Sequence, residues 1–185
     1  MKKYFLAIVC SLCLLICAAC GQQEETPPDS SDIGNIDNEE ITVGTVYDAA
    51  VVNIRIAPEG DSRIVDTASR GEMFEVVDYD AEEEWHKIIC KGDIAYINSN
   101  YLYITQWPAD YELTVGTVIG SGVMTVYAQP DTESKSILGT IKGEKFLVID
   151  DYDENWYQIG FPTGSGYIKK SFLDTITTTV HKALQ

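Results

Sequence analysis

Thr42-Val43-Gly44-Thr45-Val46 recurs letter for letter as Thr114-Val115-Gly116-Thr117-Val118, 72 residues later, and no other feature limits the possible folds so tightly. The match continues beyond the pentapeptide. Val51 meets Val123, Ile54 meets Val126, Pro58 meets Pro130, and Arg70-Gly71-Glu72 meets Lys142-Gly143-Glu144. Phe74 meets Phe146 and Asp78 meets Asp150. One residue then drops out beside an acidic segment, where loops vary most freely, and the offset becomes 71. Trp85 now meets Trp156, Ile88 meets Ile159, Tyr96-Ile97 meets Tyr167-Ile168, and Leu102 meets Leu173. Self-similarity at a fixed spacing means two copies of one module.

Within each copy, short alternating apolar runs are separated by turn residues. Residues 51–56, 73–79, 85–90 and 94–98 form the runs of the first copy, and Gly60, Gly71, Gly92, Gly143 and Gly164 punctuate the chain. A two-residue period is the mark of a strand with one face buried, and no stretch after the first twenty residues sustains the 3.6-residue period of a helix. The expectation is an all-β chain of small barrels or sandwiches.

The N-terminus follows other rules. Met1-Lys2-Lys3 is basic, Phe5 begins an apolar run ending at Ile16, and Cys17-Ala18-Ala19-Cys20 follows. Such a leader is too short for a dedicated membrane span and reads as a secretory signal. Small residues before a cysteine resemble the lipobox of bacterial lipoproteins, in which that cysteine is lipidated and becomes the mature N-terminus. Cys17 stands where that motif most often has leucine. The resemblance implies a signal peptide over residues 1–19, lipidation at Cys20, and a protein held on the extracytoplasmic face of the cell membrane. Four of the five cysteines lie in this leader, so the body keeps only Cys90 and no disulfide can staple it.

Residues 21–40 carry seven acidic side chains, two prolines, no basic residue and no aromatic one. So little apolar surface cannot offset the entropy of ordering, so the expectation for residues 20–40 is a disordered tether. Twenty residues span at most ~70 Å extended and about 25 Å on average. The organisation that follows is a first domain over 41–105, a linker over 106–113, a second domain over 114–176 and a tail over 177–185. The net charge is −16, and without Lys2 and Lys3 only 11 basic residues face 29 acidic ones. Such a body repels nucleic acid, anionic lipid and teichoic acid, and favours neutral or cationic partners.

Residues 52–58, Val-Asn-Ile-Arg-Ile-Ala-Pro, resemble the opening signature of bacterial SH3-like (SH3b) domains. A glycine turn (Gly71-Glu72-Met73-Phe74), a strand led by Trp85, and a closing Ala95-Tyr96-Ile97 to Tyr101-Leu102 follow in that family's order. The second copy supplies residues 124–130, Gly143, Trp156 and Gly166-Tyr167-Ile168 to Phe172-Leu173. Tyr127 replaces the signature arginine in the second copy, and Ala95 the usual glycine in the first. The resemblance spans about residues 42–175 and implies two tandem, partly open barrels of five or six strands. Such domains serve mostly as binding modules, often for peptidoglycan, and commonly accompany wall hydrolases. Only ten residues follow Thr175 here, and no hydrolase domain is expected.

His86 and Cys90 are the first copy's only histidine and thiol. On a strand, residues 86 and 90 share a face but lie ~13 Å apart, too far for a nucleophile–base pair. Tyr157 takes the histidine's place in the second copy, as a packing position allows. Asp78, Asp80, Glu82, Glu83 and Glu84 form an acidic loop, echoed by Asp150, Asp151, Asp153 and Glu154, without the spacing of a calcium loop. It is expected to be solvated, and its charge suits the amines of peptidoglycan stems. No catalytic residue, metal or cofactor is expected. The aromatics Tyr79, Trp85, Tyr101, Tyr152, Trp156 and Phe172 recur at matched positions and are the candidates for a ligand groove, with Trp85 and Trp156 favoured. Trp107, in the linker, is placed to pin the two barrels together. The expected function is a non-enzymatic, lipid-anchored envelope protein binding peptidoglycan stem peptide or glycan. The alternative is a scaffold that docks an envelope protein and has no wall ligand.

Overall fold

The computed structural model describes residues 39–184. The segments read as a signal peptide and a tether, with Cys20, lie outside them, except for residues 39 and 40. The described residues form one compact unit. Each alternating run becomes a strand. The first copy gives β1 (Glu40–Val46), β2 (Val51–Arg55), β3 (Ile64–Ser69), β4 (Met73–Val77), β5 (Trp85–Cys90), β6 (Asp93–Asn98) and β7 (Leu102–Pro108). The second gives β8 (Glu112–Val118), β9 (Val123–Tyr127), β10 (Ser136–Ile141), β11 (Lys145–Asp150), β12 (Trp156–Phe161), β13 (Gly164–Lys169) and β14 (Leu173–Thr179). A single turn of helix, α1 (Val180–Ala183), closes the chain. No helix among the described residues is long and apolar enough to cross a membrane.

The strands make two antiparallel seven-stranded sheets, ordered β3-β2-β6-β5-β4-β1-β7 and β10-β9-β13-β12-β11-β8-β14. The second order is the first, strand for strand. Each sheet has more strands than the five or six that the resemblance implied, because β7 pairs with β1 along its full length, from Val46↔Leu102 to Glu40↔Pro108. Pairing at that edge draws residues 106–108 into β7 and residues 112–113 into β8. Of the segment read as a linker, only 109–111 lies outside strands.

Each sheet wraps one core. Val46, Val52, Ile54, Ala68, Val76, Ile88, Ile97 and Leu102, from all seven strands, meet in the first. Val118, Val126, Phe146, Ile159, Ile168 and Leu173 fill the second. A third core, between the modules, gathers Ile41 and Val43 from β1, Leu113 and Val115 from β8, and Val180 from α1.

This third core explains the repeated pentapeptide. Successive side chains of a strand point to opposite faces. In β1, Ile41 and Val43 face the other module, while Val46 faces its own core. A methyl group added at Gly44 would sit 3.0 Å from both Leu102 and Val76, and one at Gly116 2.9 Å from Leu173. At either position a side chain of the module's own core would have to give way. Both faces of β1 and β8 are thus constrained, and an edit to either is felt in a core.

Polar contacts complete the joint. The Lys145 backbone N–H donates to the Arg70 carbonyl at 2.9 Å. Arg70 reaches Glu144 at 3.1 Å, and Lys145 reaches Glu72 at 3.4 Å. Trp107 packs against the third core, its indole N–H donating to Thr105 at 2.7 Å. The N–H groups of Val180 and His181 donate to the carbonyls of Tyr111 and Ala109 at 3.0 Å, tying α1 over the turn between the modules.

Candidate functional site

The two tryptophans open their strands at matched places, each outside the core cluster of its own module. In β5, His86, Ile88 and Cys90 are buried, so Trp85 and Lys87 take the opposite face. The hairpin register sets Trp85 across from Asn98, and Lys87 across from Tyr96. Pro58, just past β2, and the acidic loop before β5 complete a cleft of about 380 Å³ walled by Trp85 and Tyr96, with Glu83, Glu84 and Asp78 among its lining. Lys87 pairs with Asp78 at 3.1 Å, and that hydrogen bond holds its ammonium above the usual lysine range. Among the described residues, neither Glu83 nor Glu84 forms an ion pair.

The second module builds its counterpart from the same elements. Pro130, Glu154, Asn155 and Trp156 line a cleft of about 540 Å³, and Lys169, Lys170 and Ser171 close it. Trp156 lies across from Lys169. It is only 7% exposed: Tyr127 meets it edge-on at 5.7 Å, and the Lys169 ammonium lies 5.8 Å from its ring centre. Lys170 pairs with Asp151, which raises its ammonium above the usual lysine range, and also sits over Tyr157 at 4.8 Å.

Of the six aromatic candidates, the clefts take in Trp85 and Trp156. Tyr79 is exposed and packs on His86 at 5.3 Å, and Tyr152 is exposed and packs on Tyr167 at 5.1 Å. Tyr101 ends a short 3-10 turn, exposed but outside the first cleft, while Phe172, at the matching position, packs against the second core. Sequence reasoning passed over Pro58, Pro130 and Lys169 as site residues. The prolines carried a signal, since they recur at the same offset.

A third concavity of about 420 Å³ opens at the joint, with Tyr47, Tyr103 and Trp107 on one side and Ile137, Leu147 and Phe161 on the other. It is mainly apolar.

His86 and Cys90 point into the first core. The thiol is pushed up by burial, then by Asp66, whose carboxylate lies 3.8 Å away. Burial is the main reason that the His86 imidazole is held below the ordinary 6.5, with a smaller opposing pull from Glu83 and Asp80. Among the described residues its Nδ1 has no hydrogen-bond partner. A depressed folded value means that the unfolded chain binds the proton more readily. This contribution to stability is therefore complete above about pH 6.5 and is lost as the pH falls through that value toward the folded one. His86→Tyr, which installs the residue of the second copy, should flatten that part of a curve of urea midpoint against pH. An unchanged slope would assign it to other groups. Among the described residues, no three His, Cys, Asp or Glu side chains are grouped to hold a metal.

No family model matches the chain, and no curated protein matches it. Similar solved structures include an NlpC/P60 family protein from Bacillus cereus ATCC 10987, 13% identical over 74% of this chain and 57% of that one, with a TM-score of 0.46. NlpC2 and NlpC1 from Trichomonas vaginalis are each 12% identical over 74% of this chain, and over 48% and 46% of their own, with TM-scores of 0.30. The chain spans about half the length of these structures.

Proposed function

We propose that this protein is a binding protein of the cell envelope, not an enzyme, and that its clefts hold peptidoglycan, through stem peptide or glycan. Lipidated Cys20 anchors it to the extracytoplasmic face of the membrane, and the acidic tether carries the modules toward the wall. The observation that supports this reading best is the duplicated cleft. The same strands, the same proline and the same tryptophan make a concave, aromatic-walled surface twice, and aromatic planes suit sugars and peptide faces alike. The resemblance to SH3b domains supports the choice of ligand. The acidic lining of the first cleft adds charge complementarity to stem-peptide amines.

Sedimentation with purified sacculi at two salt concentrations tests the proposal. The protein should pellet with sacculi, and Trp85→Ala should weaken this by about fivefold or more, the loss typical of an aromatic anchor. The substitution should leave the urea midpoint nearly unchanged. Failure to pellet at either salt would overturn wall binding and favour a docked envelope protein, to be recovered by cross-linking in cells.

A further inference from the structure

The two clefts share a frame but differ in what covers the tryptophan. In the second module the Lys169 ammonium takes one side of Trp156 and the Tyr127 ring another. The matching residues of the first module are Asn98 and Arg55, and both are engaged elsewhere. The Asn98 side chain accepts from the backbone and side-chain N–H groups of Asn100 at 3.1 and 2.9 Å, and the Arg55 guanidinium donates to the Ser62 carbonyl at 2.5 Å. The nearest lysine of the first cleft, Lys87, is spent on Asp78. Neither cation–ring contact among the described residues involves Trp85. Among the described residues, two rim carboxylates, Glu83 and Glu84, stand beside it outside any ion pair; the second cleft also has two, Asp131 and Glu154, but the place of Glu84, next to the tryptophan, falls there to the uncharged Asn155.

From this we infer that the clefts are not equivalent: the first is a receptor for a primary ammonium group, carried on a lysine or other diamino-acid side chain, and the second is closed to cations by its own Lys169. The second module shows where the cation sits. Lys169 is a built-in ligand on the duplicated tryptophan, held by its place directly across the hairpin. In the first module that place falls to Asn98, so the ring and the two carboxylates are left for an ammonium from outside. An aromatic face and carboxylates attract such a group together. This assignment rests on the reading of the clefts as ligand sites and adds that only one of them takes an amine.

The test follows the three indole N–H signals of the full chain in detergent during titration with Nα-acetyl-lysine amide, and with the same compound acetylated at Nε. The ammonium probe should shift the Trp85 signal saturably and leave Trp156 in place, and the acetylated probe should shift neither. Asn98→Lys should weaken binding at Trp85 by about tenfold, at the upper end of what a cation–ring contact contributes. Lys169→Asn should make Trp156 responsive. Because Asn98 caps a turn, Glu84→Asn serves as a second variant that leaves the turn intact, with an expected loss of about threefold or more. Equal shifts at both tryptophans, equal shifts from both probes, or unchanged binding in both first-cleft variants would overturn the inference. Sacculi separate it from the wall reading. Pelleting without an ammonium response at Trp85 removes the inference alone, and an ammonium response without pelleting removes the wall ligand alone.

Discussion

Gly71→Ala should destabilise the protein by about 3 kcal/mol or more, while Gly143→Ala, at the matching position, should cost only about 1 kcal/mol. Both glycines hold left-handed backbone, at φ +80° and +93°. An alanine in either turn therefore carries the same conformational penalty. The difference lies in what the new methyl meets. At Gly71 it would fall 1.8 Å from the Lys145 carbonyl oxygen, across the joint, and at Gly143 nothing lies within 4 Å. A backbone atom cannot rotate aside as a side chain can, so the modules must shift apart and expose part of the third core. Urea midpoints of the two variants measure the difference. Equal losses would mean that the joint yields without cost.

Glu144→Ala should be the next most costly change, at about 3–5 kcal/mol, the usual loss when one partner of a buried ion pair is removed. Glu144 is 1% exposed and accepts from Thr140 at 2.5 Å, from Arg70 at 3.1 Å and from the Ile141 backbone N–H at 3.4 Å. Without it the Thr140 hydroxyl loses its acceptor, and the Arg70 guanidinium keeps only the Gly139 carbonyl, at 3.4 Å. Glu72, the matching residue, is partly exposed and holds Lys145 at 3.4 Å, so Glu72→Ala should cost under about 1 kcal/mol. Chemical denaturation of both variants tests the contrast. A Glu144→Ala protein as stable as Glu72→Ala would show that water replaces the lost contacts.

These contrasts mark what the sequence could and could not tell. The repeat was legible because each copy buries the same side chains in its own core, as Ile88 and Ile159 do. Trp85 and Trp156 stood out because a large ring opens each strand beside an acidic loop. The joint was hidden, because its contacts break the repeat. Gly71 meets a backbone where its twin meets nothing, and Glu144 is sealed in where Glu72 is not. Two copies packed on one another cannot make the same contacts with the same residues unless the axis between them is a true two-fold. Tyr101 and Phe172 could not be told apart either. They share one repeat position, yet whether the ring turns outward or into the core depends on a three-residue turn that no periodicity describes. Lys169 was invisible as a site residue because its meaning comes from its partner across the hairpin. Register is a property of two strands at once.

β1 and β8 each bury one face in their own module and the other against the neighbour. Removing either copy would leave the survivor with a row of branched apolar side chains facing water. Deleting half of this gene should therefore abolish the product by misassembly and turnover, and not halve its dose. The two copies should thus be kept or lost together.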